Sequence, residues 1–289
     1  MSPPKTINGF REIASRFEVA LCDIWGVIHN GHAVFPGVAD ALGRFRAGGG
    51  VVILVSNAPR PAASVVPQLD GLGLDRKAWD AIVTSGDVTR SAILGVGNRS
   101  IWHLGPTRDR PLFQGMQIHE VEDEVAAEVV VCTGLFDDTT ETAETYRPLL
   151  ERLRVRDVPL ICANPDIVVE RAGQLIYCAG AIAELYDSMG GKVVSCGKPH
   201  RPIYDAAFEV AEARLGHALH PSQVLAIGDS VRTDLSGAAS MGCGALFVAA
   251  GIHGEEVRGP DGALDPARLA TFFEGQIVRP DAAISSLRW

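Results

Sequence analysis

Short, nearly continuous apolar runs alternate along this chain with longer segments of helical periodicity, and this alternation restricts the fold more than any other feature. Such runs are typical of parallel strands that helices cover on both faces, so the pattern predicts an α/β protein with a parallel sheet. The predicted strands are Val19–Ile24, Val51–Ser56, Ala81–Thr84, Lys192–Cys196, Gln223–Ile227 and Ala245–Ala249. The predicted helices are Val38–Ala47, Pro61–Leu72, Asp87–Leu94, Pro202–Leu215 and Thr233–Met241.

The middle of the chain repeats this rhythm by itself. Its three predicted strands and its long predicted helix are, in that order, Arg99–Leu104, Glu128–Thr133, Leu160–Ala163 and Thr140–Arg154. A chain of 289 residues is long enough for about two domains. We therefore predict a Rossmann-like parallel-sheet core formed by residues 1–96 and 192–289, with a smaller α/β domain of residues 97–191 inserted into it.

Composition argues against several classes of function. The chain has 26 Lys and Arg residues against 35 Asp and Glu residues, and its net charge of −9 without a basic cluster argues against binding to nucleic acid or anionic membranes.

The first apolar run is too short for a secretory leader. The uncharged window Leu235–Gly254 holds five glycines, which favours a helix and a strand over a membrane span. The six cysteines form no C-x-x-C pair, so we expect reduced thiols in a cytoplasmic protein.

Four segments with reactive side chains lie at or just after the ends of predicted core strands, where an open α/β sheet binds its ligands. They are Leu21–Val27, Leu54–Arg60, Cys196–Pro199 and Ala226–Asp234. A carboxylate such as Asp23 can attack phosphorus and form an acyl phosphate. Asp229 and Asp234 offer the hard oxygen ligands that Mg²⁺ prefers. Together the segments predict a metal-assisted phosphoryl transfer.

The remaining side chains of these segments suit the handling of a phosphoryl group. Ser56 and Asn57 can hydrogen-bond phosphoryl oxygens, and Lys198 can neutralise negative charge as a compact cation. Each feature also has an ordinary structural interpretation, since Asp commonly caps a helix and Ser-Asn or Lys-Pro commonly forms a turn. The functional prediction therefore depends on all four segments occurring in this order.

In this order the segments resemble the motifs of the haloacid dehalogenase (HAD) superfamily of hydrolases. The inserted block resembles the large α/β cap of subclass IIA, which includes p-nitrophenyl-phosphatase-like and sugar-phosphatase-like members. Further likeness lies in the triplets Asn164-Pro165-Asp166 and Thr84-Ser85-Gly86 and in Pro36-Gly37. The resemblance extends from about Phe17 to Gly251.

The resemblance also implies a role for each site residue. Asp23 is expected to be the nucleophile and Lys198 the residue that neutralises charge. Ser56 and Asn57 are expected to bind the phosphate. The implied Mg²⁺ ligands are Asp23, the backbone carbonyl oxygen of Trp25, Asp229 and, through water, Asp234.

Trp25 departs from the motif, because phosphatases of this superfamily usually carry a second Asp two residues after the nucleophile. That Asp protonates the leaving group and then activates water, and an indole can do neither. The loss of a general acid and base typically costs about 10²- to 10⁴-fold in rate. The candidates for a substitute acid are His29, chosen first because it is nearest to the nucleophile, then His200 and the carboxylate of Asp166. Arg60 and Asn164 are weaker candidates for contact with the substrate.

Three functions remain open at the level of the sequence. The first is an Mg²⁺-dependent phosphohydrolase that acts on a small phosphorylated metabolite through an aspartyl-phosphate at Asp23. The second is a catalytically impaired protein that binds phosphorylated metabolites, which Trp25 favours. The third is a carbon–halogen hydrolase, a class that also lacks the second Asp but needs no Mg²⁺. The sequence identifies neither the substrate nor the oligomeric state, so a homo-oligomer stays open.

Overall fold

The structure, a computed structural model, describes residues 3–171 and 174–289. The strands in this part of the chain are β1 (Lys5–Thr6), β2 (Val19–Asp23), β3 (Val51–Ser56), β4 (Ala81–Thr84), β5 (Ser100–Leu104), β6 (His119–Glu120), β7 (Val129–Cys132), β8 (Leu160–Cys162), β9 (Val168–Arg171), β10 (Gln174–Tyr177), β11 (Val193–Ser195), β12 (Val224–Gly228), β13 (Gly244–Val248) and β14 (Ala282–Ile284). The α-helices are α1 (Arg11–Ala14), α2 (Val38–Ala47), α3 (Ala62–Gly71), α4 (Ser85–Gly95), α5 (Arg147–Val155), α6 (Ala179–Ser188), α7 (Arg201–Leu215), α8 (Ser236–Met241), α9 (Gly254–Val257) and α10 (Pro266–Glu274).

The chain divides into two compact units. The seven-stranded unit comprises Met1–Ser56, Val66–Val83 and Tyr204–Trp289, and the five-stranded unit comprises Asn57–Val65 and Thr84–Ile203. Both are α/β structures built on parallel strands, which confirms the predicted fold class. The insertion predicted at residues 97–191 lies within the second unit, and its boundaries stay a prediction.

The seven-stranded sheet has the order β1-β14-β13-β12-β2-β3-β4. Strand β2 lies next to β12 on one side and β3 on the other, and both pairings are parallel. All five residues of β2 are buried, as its apolar sequence predicts. The register pairs Asp23 with Val55 and Cys22 with Ile227. The last residues of three neighbouring strands therefore meet at one edge of this sheet.

The five-stranded sheet has the order β11-β8-β7-β5-β6, and every pairing in it is parallel. Helices α5 and α6 cover one face, where Leu150, Leu153, Ile182 and Tyr186 are buried against the strands. On the other face, Ile93 of α4 belongs to a separate buried cluster with strand residues. Strands β9 and β10 form an antiparallel pair that is separate from this sheet.

Two predictions about single elements are wrong. The sequence predicts that the run Lys192–Cys196 belongs to the core sheet, whereas β11 pairs with β8 in the five-stranded sheet. A short apolar run shows that a strand exists but does not identify its partner. The helix predicted over Thr140–Arg154 is shorter, because a 3₁₀ turn over Ala143–Tyr146 precedes α5. The side chain of Asp137 accepts hydrogen bonds from the backbone of Thr139 and the hydroxyl of Thr140, which favours a turn over a helix there.

The apolar window Leu235–Gly254 is divided between α8, β13 and α9, in agreement with the helix-and-strand prediction. In the described ranges 3–171 and 174–289, no helix combines the length and hydrophobicity needed to cross a membrane. The six cysteines all lie in these ranges, and none is in a disulfide. Burial raises the pKa of the Cys132 thiol to about 12, so this thiol stays protonated and unreactive at neutral pH.

Candidate active site

Three carboxylates, Asp23, Asp229 and Asp234, converge at the edge where β2 and β12 end. One oxygen from each lies within 4.8 Å of the others, and the three residues are only 8%, 6% and 3% exposed. Like charges at such distances repel by a few kcal/mol, about 4 kcal/mol for two charges 4 Å apart at an effective dielectric constant near 20. A divalent cation removes that repulsion, and a set of buried carboxylate oxygens is the donor chemistry that suits Mg²⁺. The cluster therefore fits the metal that the sequence predicts.

Three glycines lie so close to these carboxylates that a side chain at any of them would not fit. A Cβ on Gly26, Gly251 or Gly228 would collide with Asp229 or Asp234. The backbone N–H of Ile252 donates to Asp229 Oδ2 at 2.7 Å, and a π-helical turn over Val231–Leu235 places Asp234. These contacts fix the orientation of both carboxylates before any ligand binds.

The loop after β2 is built around the indole of Trp25. Gly31 has φ +91°, and a Cβ there would lie 2.7 Å from Cη2 of Trp25, so both its conformation and its space require glycine. The His29 ring meets the indole edge-on, with centroids 5.2 Å apart. The backbone N–H of Gly31 donates to His29 Nδ1 at 2.9 Å, and that of Gly26 donates to His29 O. Contacts with Gly31 and His29 therefore hold the indole of Trp25 in place within this loop.

His29 is poorly suited to act as a general acid. Its side chain is buried, and burial lowers its pKa from 6.5 to about 4. At neutral pH the ring is therefore uncharged, and Nδ1 accepts a hydrogen bond while Nε2 carries the proton. A neutral imidazole gives up that proton far less readily than an imidazolium does. His200, the second candidate, is exposed in the turn that follows Lys198.

A second polar group lies in the five-stranded unit around Asn57. Its Oδ1 accepts from the backbone N–H of Lys198 at 2.7 Å. Its Nδ2 donates to the carbonyl of Lys198 at 3.1 Å and to Asp166 Oδ1 at 2.9 Å. The backbone N–H of Asp166 in turn donates to Asn164 Oδ1 at 3.1 Å. The structure thus brings together four of the predicted site residues, Asn57, Asn164, Asp166 and Lys198.

Ser85, Arg60 and Asp109 lie in the same unit, and of these only Arg60 is a site residue predicted from the sequence. Ser85 starts α4 and is fully buried, and its Oγ has no hydrogen-bond partner among the residues that the structure describes. Arg60 lies 3.9 Å from the buried carboxylate of Asp109. Burial raises the pKa of Asp109, and Arg108 and Arg60 oppose that effect. Ser85 belongs to a triplet that the sequence singles out, whereas the pairing of Arg60 with Asp109 joins separate segments and leaves no local pattern.

Comparison with known proteins identifies the family. Residues 20–119 match the family model of the haloacid dehalogenase-like hydrolases, and residues 195–271 match a HAD-hydrolase-like model. A crystal structure of a haloacid dehalogenase-like hydrolase from Brucella suis 1330 is 44% identical, covers 97% of this chain and 99% of its own, and superposes with a TM-score of 0.85. The chain belongs to the haloacid dehalogenase-like hydrolases. The family predicted from the four sequence segments is confirmed.

Two more distant structures share the fold of this HAD-like hydrolase. One is a possible sugar phosphatase of the HAD superfamily from Cytophaga hutchinsonii, with 20% identity, a TM-score of 0.78 and coverage of 98% of each chain. The other is 4-nitrophenylphosphatase from Thermotoga maritima, with 22% identity, a TM-score of 0.71 and coverage of 95% of this chain and 96% of its own. Because each likeness covers at least 95% of this chain, the shared fold, with its cap domain, extends over nearly the whole HAD-like chain.

Proposed function

We propose that this HAD-like hydrolase is a phosphatase that hydrolyses small phosphomonoesters through an aspartyl-phosphate at Asp23. The observation that carries the proposal is the buried cluster of Asp23, Asp229 and Asp234, whose oxygens lie within 4.8 Å of one another. The names of two relatives of the same fold, a possible sugar phosphatase and a 4-nitrophenylphosphatase, support this class of substrate.

In the first step a carboxylate oxygen of Asp23 attacks phosphorus and the bond from phosphorus to the ester oxygen breaks, so that the leaving oxygen departs as an anion and takes a proton from solvent. In the second step water attacks phosphorus and releases Asp23 and inorganic phosphate. Asp23, the Trp25 carbonyl, Asp229 and, through water, Asp234 would hold Mg²⁺. The metal would offset the charge of the phosphoryl oxygens when bound.

Ser56, Asn57 and Lys198 would bind the phosphoryl oxygens. Ser56 would donate through its hydroxyl and Lys198 through its ammonium group. The side-chain Nδ2 of Asn57 donates to the Lys198 carbonyl and to Asp166. We therefore assign phosphate contact to the backbone N–H of Asn57 and a positioning role to its side chain.

A phosphometabolite-binding protein of low activity is the second candidate, and Trp25 is the observation that favours it. The first step then lacks a proton donor for the leaving oxygen. The carbon–halogen hydrolase is the weakest of the three, because that chemistry needs no Mg²⁺, whereas Asp23, Asp229 and Asp234 form a cluster that suits this ion. We further propose that the protein is cytoplasmic and acts on small molecules, not on nucleic acid or membranes.

A magnesium titration of p-nitrophenyl phosphate hydrolysis tests these functions against one another. Hydrolysis that rises with Mg²⁺ and vanishes in the Asp23→Asn variant supports the phosphatase. Binding of Mg²⁺ without any turnover supports the binding protein. Halide release from a haloacid without added metal supports the third function and contradicts the proposal.

A further inference from the structure

Asp138 of the five-stranded unit is held between two arginines. Its Oδ2 lies 2.6 Å from Arg108 Nη2, and its Oδ1 lies 3.1 Å from Arg171 Nη2. The side chain of Asp138 is only 9% exposed, whereas those of Arg108 and Arg171 are 54% and 42% exposed. A buried carboxylate thus orients two guanidinium groups that stay open to solvent.

These three residues come from segments that follow neighbouring parallel strands. Arg108 lies in the 3₁₀ segment after β5, Asp138 lies in the loop after β7, and Arg171 ends the strand β9 that follows β8. Strands β5, β7 and β8 are adjacent, so their carboxyl ends share one edge of the sheet. That edge is where open α/β sheets bind small molecules. The position of the arginines therefore suits a ligand.

Most of the hydrogen-bonding capacity of the two arginines is unused. A guanidinium has five N–H donors. In ranges 3–171 and 174–289, Arg108 donates once and Arg171 twice, each time to Asp138. The adjacent carboxylate of Asp137 bonds instead to Thr139 and Thr140. The remaining donors can therefore bind an anionic oxygen without breaking the existing ion pairs.

We propose that Arg108 and Arg171, oriented by Asp138, bind one carboxylate or phosphate group of a small molecule. A planar guanidinium presents paired N–H groups at the spacing of two carboxylate or phosphate oxygens, and such charge-assisted hydrogen bonds are strong. Arg60, which lies 3.9 Å from Asp109, adds a third guanidinium to the same electrostatic environment. The anionic group belongs either to the phosphomonoester substrate, a case that rests on the proposed function, or to a separate ligand.

The binding experiment is an NMR titration of the full chain with succinate, followed through the arginine side-chain N–H signals. Arg108→Ala and Arg171→Ala are the test variants, and because both side chains are exposed, their removal takes little packing from the core. Arg152→Ala is the matched control, because Arg152 is 55% exposed and bonds to Glu124 at 2.7 Å in the same unit. We expect about a tenfold or greater loss of succinate affinity in the test variants only. Equal affinity in all four proteins overturns the proposal.

The source of the anion is decided by kinetics with 4-carboxyphenyl phosphate and its methyl ester, which differ in one negative charge. If the group belongs to the substrate, Arg108→Ala raises the KM of the carboxylate compound about tenfold or more relative to the ester, and Arg152→Ala does not. If succinate binds but the ratio of KM values is unchanged, the site serves a separate anion. If neither compound is hydrolysed, the proposed function is contradicted. The succinate titration measures binding alone, so it still tests whether Arg108 and Arg171 form an anion site.

Discussion

We propose that Trp25 stands where phosphatases of this family usually carry a general acid, and Gly31 and His29 contact its indole. Without an acid the leaving oxygen departs nearly as an anion, so the rate must depend steeply on the leaving-group pKa. We expect the wild type to hydrolyse p-nitrophenyl phosphate about 10²-fold or more faster than an alkyl phosphate of similar size. Steady-state kinetics on both compounds measure this ratio.

The variants Trp25→Asp and Trp25→Asn separate acid catalysis from changes of shape. Both leave the same cavity beside Gly31 and His29, but only the aspartic acid can donate a proton. Trp25→Asp should therefore raise alkyl phosphate turnover relative to Trp25→Asn. Equal rates for aryl and alkyl phosphates in the wild type would mean that another side chain supplies the proton, and His200→Ala would then be the variant to measure.

Asp23 carries the covalent step of the proposed mechanism. Asp23→Asn replaces the attacking oxygen with a poor nucleophile and removes one charge from the carboxylate cluster, while its size is unchanged. We expect turnover to fall below detection with the circular dichroism spectrum preserved. Wild-type activity in this variant would refute the carboxylate mechanism, and Glu256→Gln, at an exposed carboxylate of α9, is the control.

At the scale of elements, a partly buried hydrogen bond connects the ends of β5 and β7. His103 Nε2 lies 2.8 Å from Thr133 Oγ1, and burial lowers the His103 pKa to about 4. The unfolded chain therefore takes up a proton near pH 6.5 that the folded chain takes up only near pH 4. Stability contributed by neutral His103 is present above about pH 6.5 and is lost as the pH falls towards 4. Thermal melts of wild type and His103→Gln between pH 5 and 7 should show a smaller pH dependence in the variant.

The elements that the sequence predicts well are those whose burial leaves a continuous local pattern. Strand β3 has the predicted limits because it is a continuous apolar run. Helix α2 has them because glycines follow its last residue. The pairing of β11 was not predictable, since a strand of only three residues fits at the edge of either sheet. The pair β9 and β10 was missed because its exposed residues alternate weakly and its strands lie outside both parallel sheets.

At the scale of the whole molecule, the site divides into a part that topology predicts and a part that it does not. Asp23 and Asp229 were predictable neighbours, because parallel strands β2 and β12 end at the same edge. The side-chain contacts of Asn57 were not predictable, because its amide bonds to Asp166 and Lys198, which lie 109 and 141 positions away. The Arg108–Asp138–Arg171 cluster likewise joins segments that are separate in the sequence. Such contacts depend on tertiary structure and leave no periodic signal.

The buried carboxylates also link metal binding to the stability of the seven-stranded unit. Mg²⁺ at about 100 times its Kd should stabilise the folded state by about 2.7 kcal/mol. For a unit of this size that corresponds to a rise in Tm of roughly 5–10 °C. Asp229→Asn should remove most of the rise and Asp234→Asn less of it, because the proposal makes Asp229 a direct ligand and Asp234 a ligand through water. Calorimetric melts with and without Mg²⁺ measure both shifts, with Glu256→Gln as the control that keeps the wild-type rise. Equal losses in the two aspartate variants would contradict this division of roles, and no rise in the wild type would contradict the metal site itself.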